Sequence, residues 1–254
     1  MSDAVRIAGL SAFPDVQPGD DLAALIVAGA ARQGEAPDPF AQRPVIVVAQ
    51  KIVSLAEGAV VDLAQVQPSG TAREYAGRLG KDARLVEVIL QNTRRVVRLE
   101  RDVLIVETQH GLICANAGVD QSNVPGQDCV TVLPRDPDAS AALLRAAIGR
   151  LCGNQCPVII SDTFGRPWRL GLVNVAIGVA GLAPLRDYRG RRDRYGRPLH
   201  STVIALADEL AAAAGLMMDK REGAPVALLY GVKVAPGDGS AKQLQRPPAD
   251  DLFR

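Results

Sequence analysis

Aromatic residues are scarce in this chain: four Phe, four Tyr and one Trp, 4% of 254 residues. So few rings argue against a protein that stacks unpaired bases. Neither sign of charge dominates. Twenty-nine Lys and Arg face 28 Asp and Glu, a net of +1, so no global field draws the chain to nucleic acid or anionic lipid. The longest apolar stretch, Leu170 to Leu185, is broken by Asn174 and three glycines. It falls short of the ~20 apolar residues a membrane helix needs. The opening Met1-Ser2-Asp3-Ala4 lacks the basic start and apolar run of a signal peptide, and a cytoplasmic location is expected. The only histidines are His110 and His200, and neither belongs to a Ser-His-Asp or Cys-His motif. Cys152 and Cys156 form a C-x3-C pair, but so few histidines leave zinc short of ligands. Cys114, Cys129, Cys152 and Cys156 are expected as reduced, partly buried thiols. Neither G-x-x-x-x-G-K-S/T nor G-x-G-x-x-G occurs.

What is present is apolar and punctuated. Hydrophobic residues make up 48% of the chain and charged residues 22%, enough for one large domain or two small ones. No repeat or long linker divides it. Val45–Ala49 reads as a buried strand stopped by Gln50-Lys51. Val103–Val106 and Leu112–Ala115 read as strands joined by a turn at His110-Gly111, and Pro157–Ile160 and Val226–Tyr230 as two more. Asp82 to Thr93 places Leu85 and Ile89 on one helical face. Asp138 to Cys152 starts acidic and stops at Gly153. Ser201 is expected to cap a long helix through Ala214. Strands and helices mix without a βαβ rhythm, which predicts an α+β fold.

Polar residues interrupt the apolar pattern at three places. Asn116–Asn123 follows the strand ending at Ala115, and Ser161–Arg166 follows the strand ending at Ile160. Each carries an aspartate close to a strand end. Asp120, Asp162 and the Thr163 hydroxyl, if brought together, would make a hard oxygen site for Mg²⁺ or Mn²⁺, completed by water and phosphate oxygens. The plainer alternative is that both aspartates only build turns. The third place, Arg186 to Arg197, holds six arginines and two aspartates, a local net of +4. Guanidinium forks match carboxylates and phosphates, so Arg189, Arg191 and Arg192 are candidates for an anionic substrate. A solvated basic loop or a dimer contact explains them equally well.

Several of these segments occur together and in order. Pro18-Gly19-Asp20-Asp21-Leu22, Ala49 to Ser54, Ala56-Glu57-Gly58, Asn116 to Asn123 and Ser161 to Arg169 lead on to Ala176-Ile177-Gly178, Arg189-Gly190, Tyr195-Gly196-Arg197 and Ala207 to Ala211. In this respect the chain resembles the coenzyme F420-0:γ-glutamyl ligase family over nearly its whole length. The resemblance implies that family's α+β ligase fold as a single domain over 1–254, with two intimately packed subdomains as a variant. It also implies an intertwined homodimer and no reductase-like domain after the ligase. The implied reaction is a GTP-dependent ligation. Phosphate passes to the carboxylate at the lactyl end of F420-0, the amine of L-glutamate attacks the acyl phosphate, and a further glutamate can follow through the γ-carboxyl. The implied cations are Mg²⁺ or Mn²⁺, two of them, with K⁺ as a further candidate.

Residue by residue, Asp120 and Asp162 resemble ligands of one metal, and through it the catalytic pair. Thr163 resembles a ligand of the second. Phe13, Pro14, Asp15, Val16, Gln50, Lys51 and Asn123 resemble the nucleotide site, as do Met218, Asp219 and Lys220 after the long helix. Two departures stand out. The family's S-K-A-E-G reads Ser54-Leu55-Ala56-Glu57-Gly58 here, so Leu55 removes a nucleotide-facing charge, and Leu55→Lys is expected to be tolerated. Lys220 falls where some members carry an acidic ligand, and an ammonium cannot hold a cation; Glu222 or Asp219 is the substitute. Two other functions remain open: an amide ligase with a different acid or amine, and a nucleotide-binding scaffold without activity.

Overall fold

The computed structural model describes residues 4–34, 38–122, 124, 126, 128–218 and 223–251. Its strands are β1 (Arg6–Gly9), β2 (Val45–Ala49), β3 (Val60–Asp62), β4 (Thr93–Glu100), β5 (Val103–Thr108), β6 (Ile113–Ala115), β7 (Cys129–Thr131), β8 (Val158–Arg166), β9 (Arg169–Ala180), β10 (Arg186–Asp187), β11 (Val203–Ile204) and β12 (Val226–Tyr230). The helices are α1 (Leu22–Arg32), α2 (Gln50–Ala56), α3 (Gly70–Leu79), α4 (Ala83–Gln91), α5 (Pro137–Cys152) and α6 (Leu206–Ala214). The mixture is α+β, as the irregular order of elements predicts.

The main sheet runs β1-β12-β2-β8-β9, and only β2 and β8 are parallel. Its central strands β12 and β2 and the first half of β8 are buried on both faces, which explains their unbroken apolar runs. Strand periodicity divides them: Ile46, Val48, Val158, Ile160, Val226 and Leu228 face α1, α2 and α5, while Val45, Val47, Ile159, Ala227 and Leu229 face α6. β9 lies at the sheet edge. Carboxylates from the flanking helices cover part of that edge: Asp208 of α6 accepts from the Ala176 amide at 2.9 Å, and Asp138 of α5 accepts from Val179 at 2.9 Å. The start of α5 presses directly on β9. A Cβ at Gly178 would lie 2.2 Å from the Pro137 carbonyl oxygen, so only glycine fits there.

A second hydrophobic cluster joins α3 and α4 to the sheet β4-β5-β6, around Ala76, Val86, Ile89, Leu104 and Val106. A small two-stranded sheet, β3-β7, packs over Leu63, Val88 and Val130. The α4 and α5 helices fall close to their expected bounds. Asp82 caps the first through the Arg84 amide at 2.8 Å, and Asp136 caps the second with Pro137 at its first position.

As expected, β2 stops at Gln50-Lys51, where α2 opens. Two expectations change. Ser201 caps no helix: Val203–Ile204 pairs with Arg186–Asp187 as β11, and α6 starts only at Leu206. Ser161–Arg166 is not a loop after a strand. The strand continues through it, because β9 supplies a hairpin partner along its length.

Candidate functional site

A cavity of about 570 Å³ opens at the C-terminal end of β2, beside the point in β8 where its parallel pairing with β2 stops. Open sheets commonly bind ligands at such ends. The chain leaves β2 at Ala49 and turns at once into α2, so Gln50, Lys51, Ile52 and Leu55 line one wall. Ser161, Asp162 and Thr163 of β8 form the floor, with Asn174 of β9 beside them. A register shift falls between Ile160 and Ser161: Ile160 pairs with Gly178 but Ser161 with Ala176, leaving Ile177 as an extra residue. The bulge redirects the pleat just where the polar residues begin.

The segment Phe13 to Gln17 closes another side. It is tied to the 223–225 segment by a hydrogen bond from the Phe13 amide to the Gly223 carbonyl, 3.2 Å. The Ala49 amide donates to the Pro225 carbonyl at 2.8 Å. Phe13 and Val16 point into the core while Pro14 and Asp15 stay exposed. Met218 completes that side.

Asp120 reaches the cavity from the turn after β6. An antiparallel bridge to Thr131 fixes its backbone, with hydrogen bonds of 3.1 and 2.9 Å. Its carboxylate meets the Lys51 ammonium at 2.7 Å and accepts from the Ser122 amide and hydroxyl, each at 2.8 Å. Lys51 also donates to the Ser122 hydroxyl at 2.9 Å and to its carbonyl. Burial works to raise the Asp120 carboxyl. The hydrogen bonds from Lys51 and Ser122 outweigh it and hold the group below its ordinary value. Asp162 accepts from the Thr163 amide at 2.7 Å, and the Thr163 hydroxyl donates to the Asn174 side-chain oxygen at 3.1 Å. Behind them, burial pushes the Cys114 thiol up to about 12, helped by the nearby negative charge of Asp162.

Phe13, Pro14, Asp15, Val16, Gln50, Lys51, Asp120, Asp162, Thr163 and Met218, distant in sequence, thus line one cavity. Asn123, Asp219, Lys220 and Glu222 lie outside the described residues. Arg189, Arg191 and Arg192 line neither this cavity nor the smaller one beside it. Arg189 pairs with Asp187 at 2.6 Å, Arg191 lies over the Tyr188 ring, and Arg192 donates to the Gly196 carbonyl. Leu55 is 5% exposed and belongs to the main core. Its side chain also borders the cavity, so a lysine there would give up core packing while its ammonium could reach the cavity.

Sequence reasoning missed Ser122 and Asn174 as site residues. The signal for Asn174 was present, since it is the one amide within the apolar run of β9. Together the lining offers the carboxylates of Asp15, Asp120 and Asp162, the hydroxyls of Ser161 and Thr163 and the amides of Gln17, Gln50 and Asn174 to a hard cation, and the Lys51 ammonium to an anion. Among the described residues, no group of three or more His, Cys, Asp or Glu could hold a metal. An ion at Asp120 and Asp162 would therefore complete its shell with hydroxyl, water or phosphate oxygens, the habit of Mg²⁺ rather than zinc.

Residues 11–231 match the family model described as F420-0:Gamma-glutamyl ligase. The chain is similar to the coenzyme F420:L-glutamate ligase of Methanothermobacter thermautotrophicus, with 44% identity covering 98% of this chain and 99% of that protein. It is 45% identical to the ligase of the same name from Methanopyrus kandleri over 94% of this chain and 93% of the relative. For Methanocaldococcus jannaschii the figures are 42%, 85% and 86%.

Proposed function

Because this chain belongs to the F420-0:gamma-glutamyl ligase family, we propose that it joins L-glutamate to F420-0, with GTP activating the acid as an acyl phosphate. The observation that carries this reading is the single cavity in which Lys51, Asp120, Asp162 and Thr163 converge where the parallel pairing of β2 and β8 stops. A carboxylate is a poor electrophile until one of its oxygens becomes a phosphate leaving group. In the first step a carboxylate oxygen of F420-0 bonds to the γ-phosphorus of GTP. The bond to the β–γ bridging oxygen breaks, and GDP leaves. In the second step the glutamate nitrogen bonds to the acyl carbon, the carbon–oxygen bond to phosphate breaks, and inorganic phosphate departs. The nitrogen's surplus proton passes to solvent.

The chain's own groups serve these steps by position and charge. Lys51, on the first turn of α2, places an ammonium where phosphate oxygens would lie. Its bond to Asp120 favours the ionised form of that carboxylate and orients both side chains. Asp120 and Asp162 are the residues that would hold Mg²⁺ or Mn²⁺, with Thr163 offered to a second ion. When bound, such an ion draws negative charge from the phosphate oxygens as the phosphoryl group moves. Thr163 is held by Asn174 and Asp120 by the Thr131 bridge, so neither needs to reorganise. The apolar surface of Ile52, Leu55 and Val16 suits the flat face of a base.

The same reading includes a homodimer. At the tip of the β8–β9 hairpin Trp168, Leu170 and Leu172 are 81%, 98% and 67% exposed, and a second copy is the natural cover for such a tip. No helix among the described residues is long and apolar enough to cross a membrane. Incubation with F420-0, L-glutamate, GTP and Mn²⁺ tests the function. Mass spectrometry should show F420-0 gaining a glutamyl unit with release of phosphate. Turnover only with a different acid or amine would reject the substrate assignment, and nucleotide binding without turnover would leave a scaffold.

A further inference from the structure

A second cavity, about 390 Å³, is lined by the Asp120–Ser122 turn and shares Asp120 with the first. It is lined by Lys81, Asp82, Leu85, Ile89, Asn116 and Val119, together with Gln121. The turn that shapes it is strained: Asn116, Ala117 and Gly118 all have left-handed backbones, with φ of 53°, 55° and 70°. Gly118 has no alternative, since a Cβ there would lie 2.7 Å from the Leu133 side chain. The strained turn carries Asn116 back over α4, where its side-chain oxygen accepts from the Lys81 ammonium at 3.1 Å.

The charges around this cavity are unevenly satisfied. Asp82 is engaged by Arg84 at 2.7 Å, and Asp120 by Lys51 at 2.7 Å. Lys81 has only the neutral Asn116 amide, and no carboxylate partner among the described residues. The cavity therefore presents one uncompensated cation beside amide groups, over the apolar side chains of Leu85 and Val119. That combination fits a small molecule with a carboxylate on a short hydrocarbon chain.

We infer that this second cavity is the entry site of the amino-acid co-substrate, with Lys81 holding a carboxylate of L-glutamate and the Asp120–Ser122 turn separating it from the nucleotide. The inference rests on the ligase reading for its choice of amino acid. The two cavities, which share Asp120, then deliver the two reactants. This explains why a site built around phosphate charge keeps a cationic pocket that the nucleotide does not occupy.

Steady-state kinetics of Lys81→Met, with Lys81→Arg as the charge-preserving control, test it. In Lys81→Met the KM for L-glutamate should rise at least about tenfold, the scale of one charged hydrogen bond. The KM values for GTP and F420-0 should stay within about twofold, and Lys81→Arg should recover most of the loss. An unchanged KM for L-glutamate, or a rise in the KM for GTP or F420-0 instead, overturns the assignment. Calorimetric titration of L-glutamate into wild type and Lys81→Met, with GTP and Mn²⁺ present, separates this from the wider reading. Weaker binding in the variant supports the cavity even if the wild type forms no F420 product. Equal binding sinks the cavity while leaving ligation intact.

Discussion

Replacing Lys51 with Met probes the centre of the site without disturbing its frame. Methionine matches lysine in length and helix propensity, so α2 should persist. What is lost is the 2.7 Å pair with Asp120 and the two contacts to Ser122. At that separation the bare attraction is ~6 kcal/mol in an effective dielectric of ~20. Solvent reaches 35% of the Asp120 side chain, and screening and desolvation remove most of that figure. The net loss should be roughly 1–2 kcal/mol, between the ~0.2–1 of exposed pairs and the ~3–5 of broken buried ones. For a chain of this size Tm should then fall by about 2–8 °C near pH 7. The pH dependence has a definite sign. The folded Asp120 carboxyl lies below its ordinary value, so the pair stabilises above the unfolded value of ~3.9 and is lost as pH falls through the folded one. Calorimetric melts of both proteins should differ most near neutrality, and the gap should begin to close only as pH falls below the ordinary carboxyl value of ~3.9. Equal melting temperatures at pH 7, or a gap that closes already between pH 7 and pH 5, would refute the reasoning.

Three further outcomes follow from the same geometry. Asp162→Ala should lower ligation by at least about 10²-fold, the scale of losing one preorganised charge-stabilising group, while Tm moves by no more than a few degrees; near-normal turnover rejects its role. Gly178→Val should destabilise the fold by roughly 3 kcal/mol through its clash with the Pro137 carbonyl, read by urea denaturation, and a neutral effect would mean that α5 slides freely on β9. Replacing Arg189, Arg191 and Arg192 together by Ala should raise the KM for F420-0 only a few-fold, in a manner abolished by high salt, because these side chains lie outside the cavities and act at a distance. A large salt-independent rise would instead indicate direct contact.

Much of the main sheet was legible because it is buried on both faces. Val45–Ala49 and Val226–Tyr230 carry unbroken β-branched or aliphatic runs that little else explains. α4 and α5 were legible from their caps and stops. Other elements hid for physical reasons. α1 is almost entirely small or apolar, so no stripe stands out, and β4 reads Thr-Arg-Arg-Val-Val-Arg-Leu-Glu because it is a largely exposed edge. The false cap at Ser201 came from reading Val203 and Ile204 as helical, when their pairing with β10 is decided by tertiary contact. In the site, Asp120, Asp162 and Thr163 announced themselves as polar breaks in apolar runs. The approach of Phe13–Gln17 to Gly223–Pro225 depends on backbone bonds between distant segments, which no local pattern encodes. Lys81 was illegible for a similar reason: its lack of a carboxylate partner becomes visible only once the paths of α3, α4 and the Asn116 turn are known.

The claim on which the account rests is that Asp120 and Asp162 jointly hold the metal of a bound nucleotide. Titration of Mn²⁺ by electron paramagnetic resonance, with GTP present, addresses it directly in wild type, Asp120→Asn and Asp162→Asn. Each substitution should weaken Mn²⁺ by at least about tenfold, since even outer-shell partners of a metal site cost that much, while the fold survives. Unchanged Mn²⁺ affinity in both variants would contradict the account.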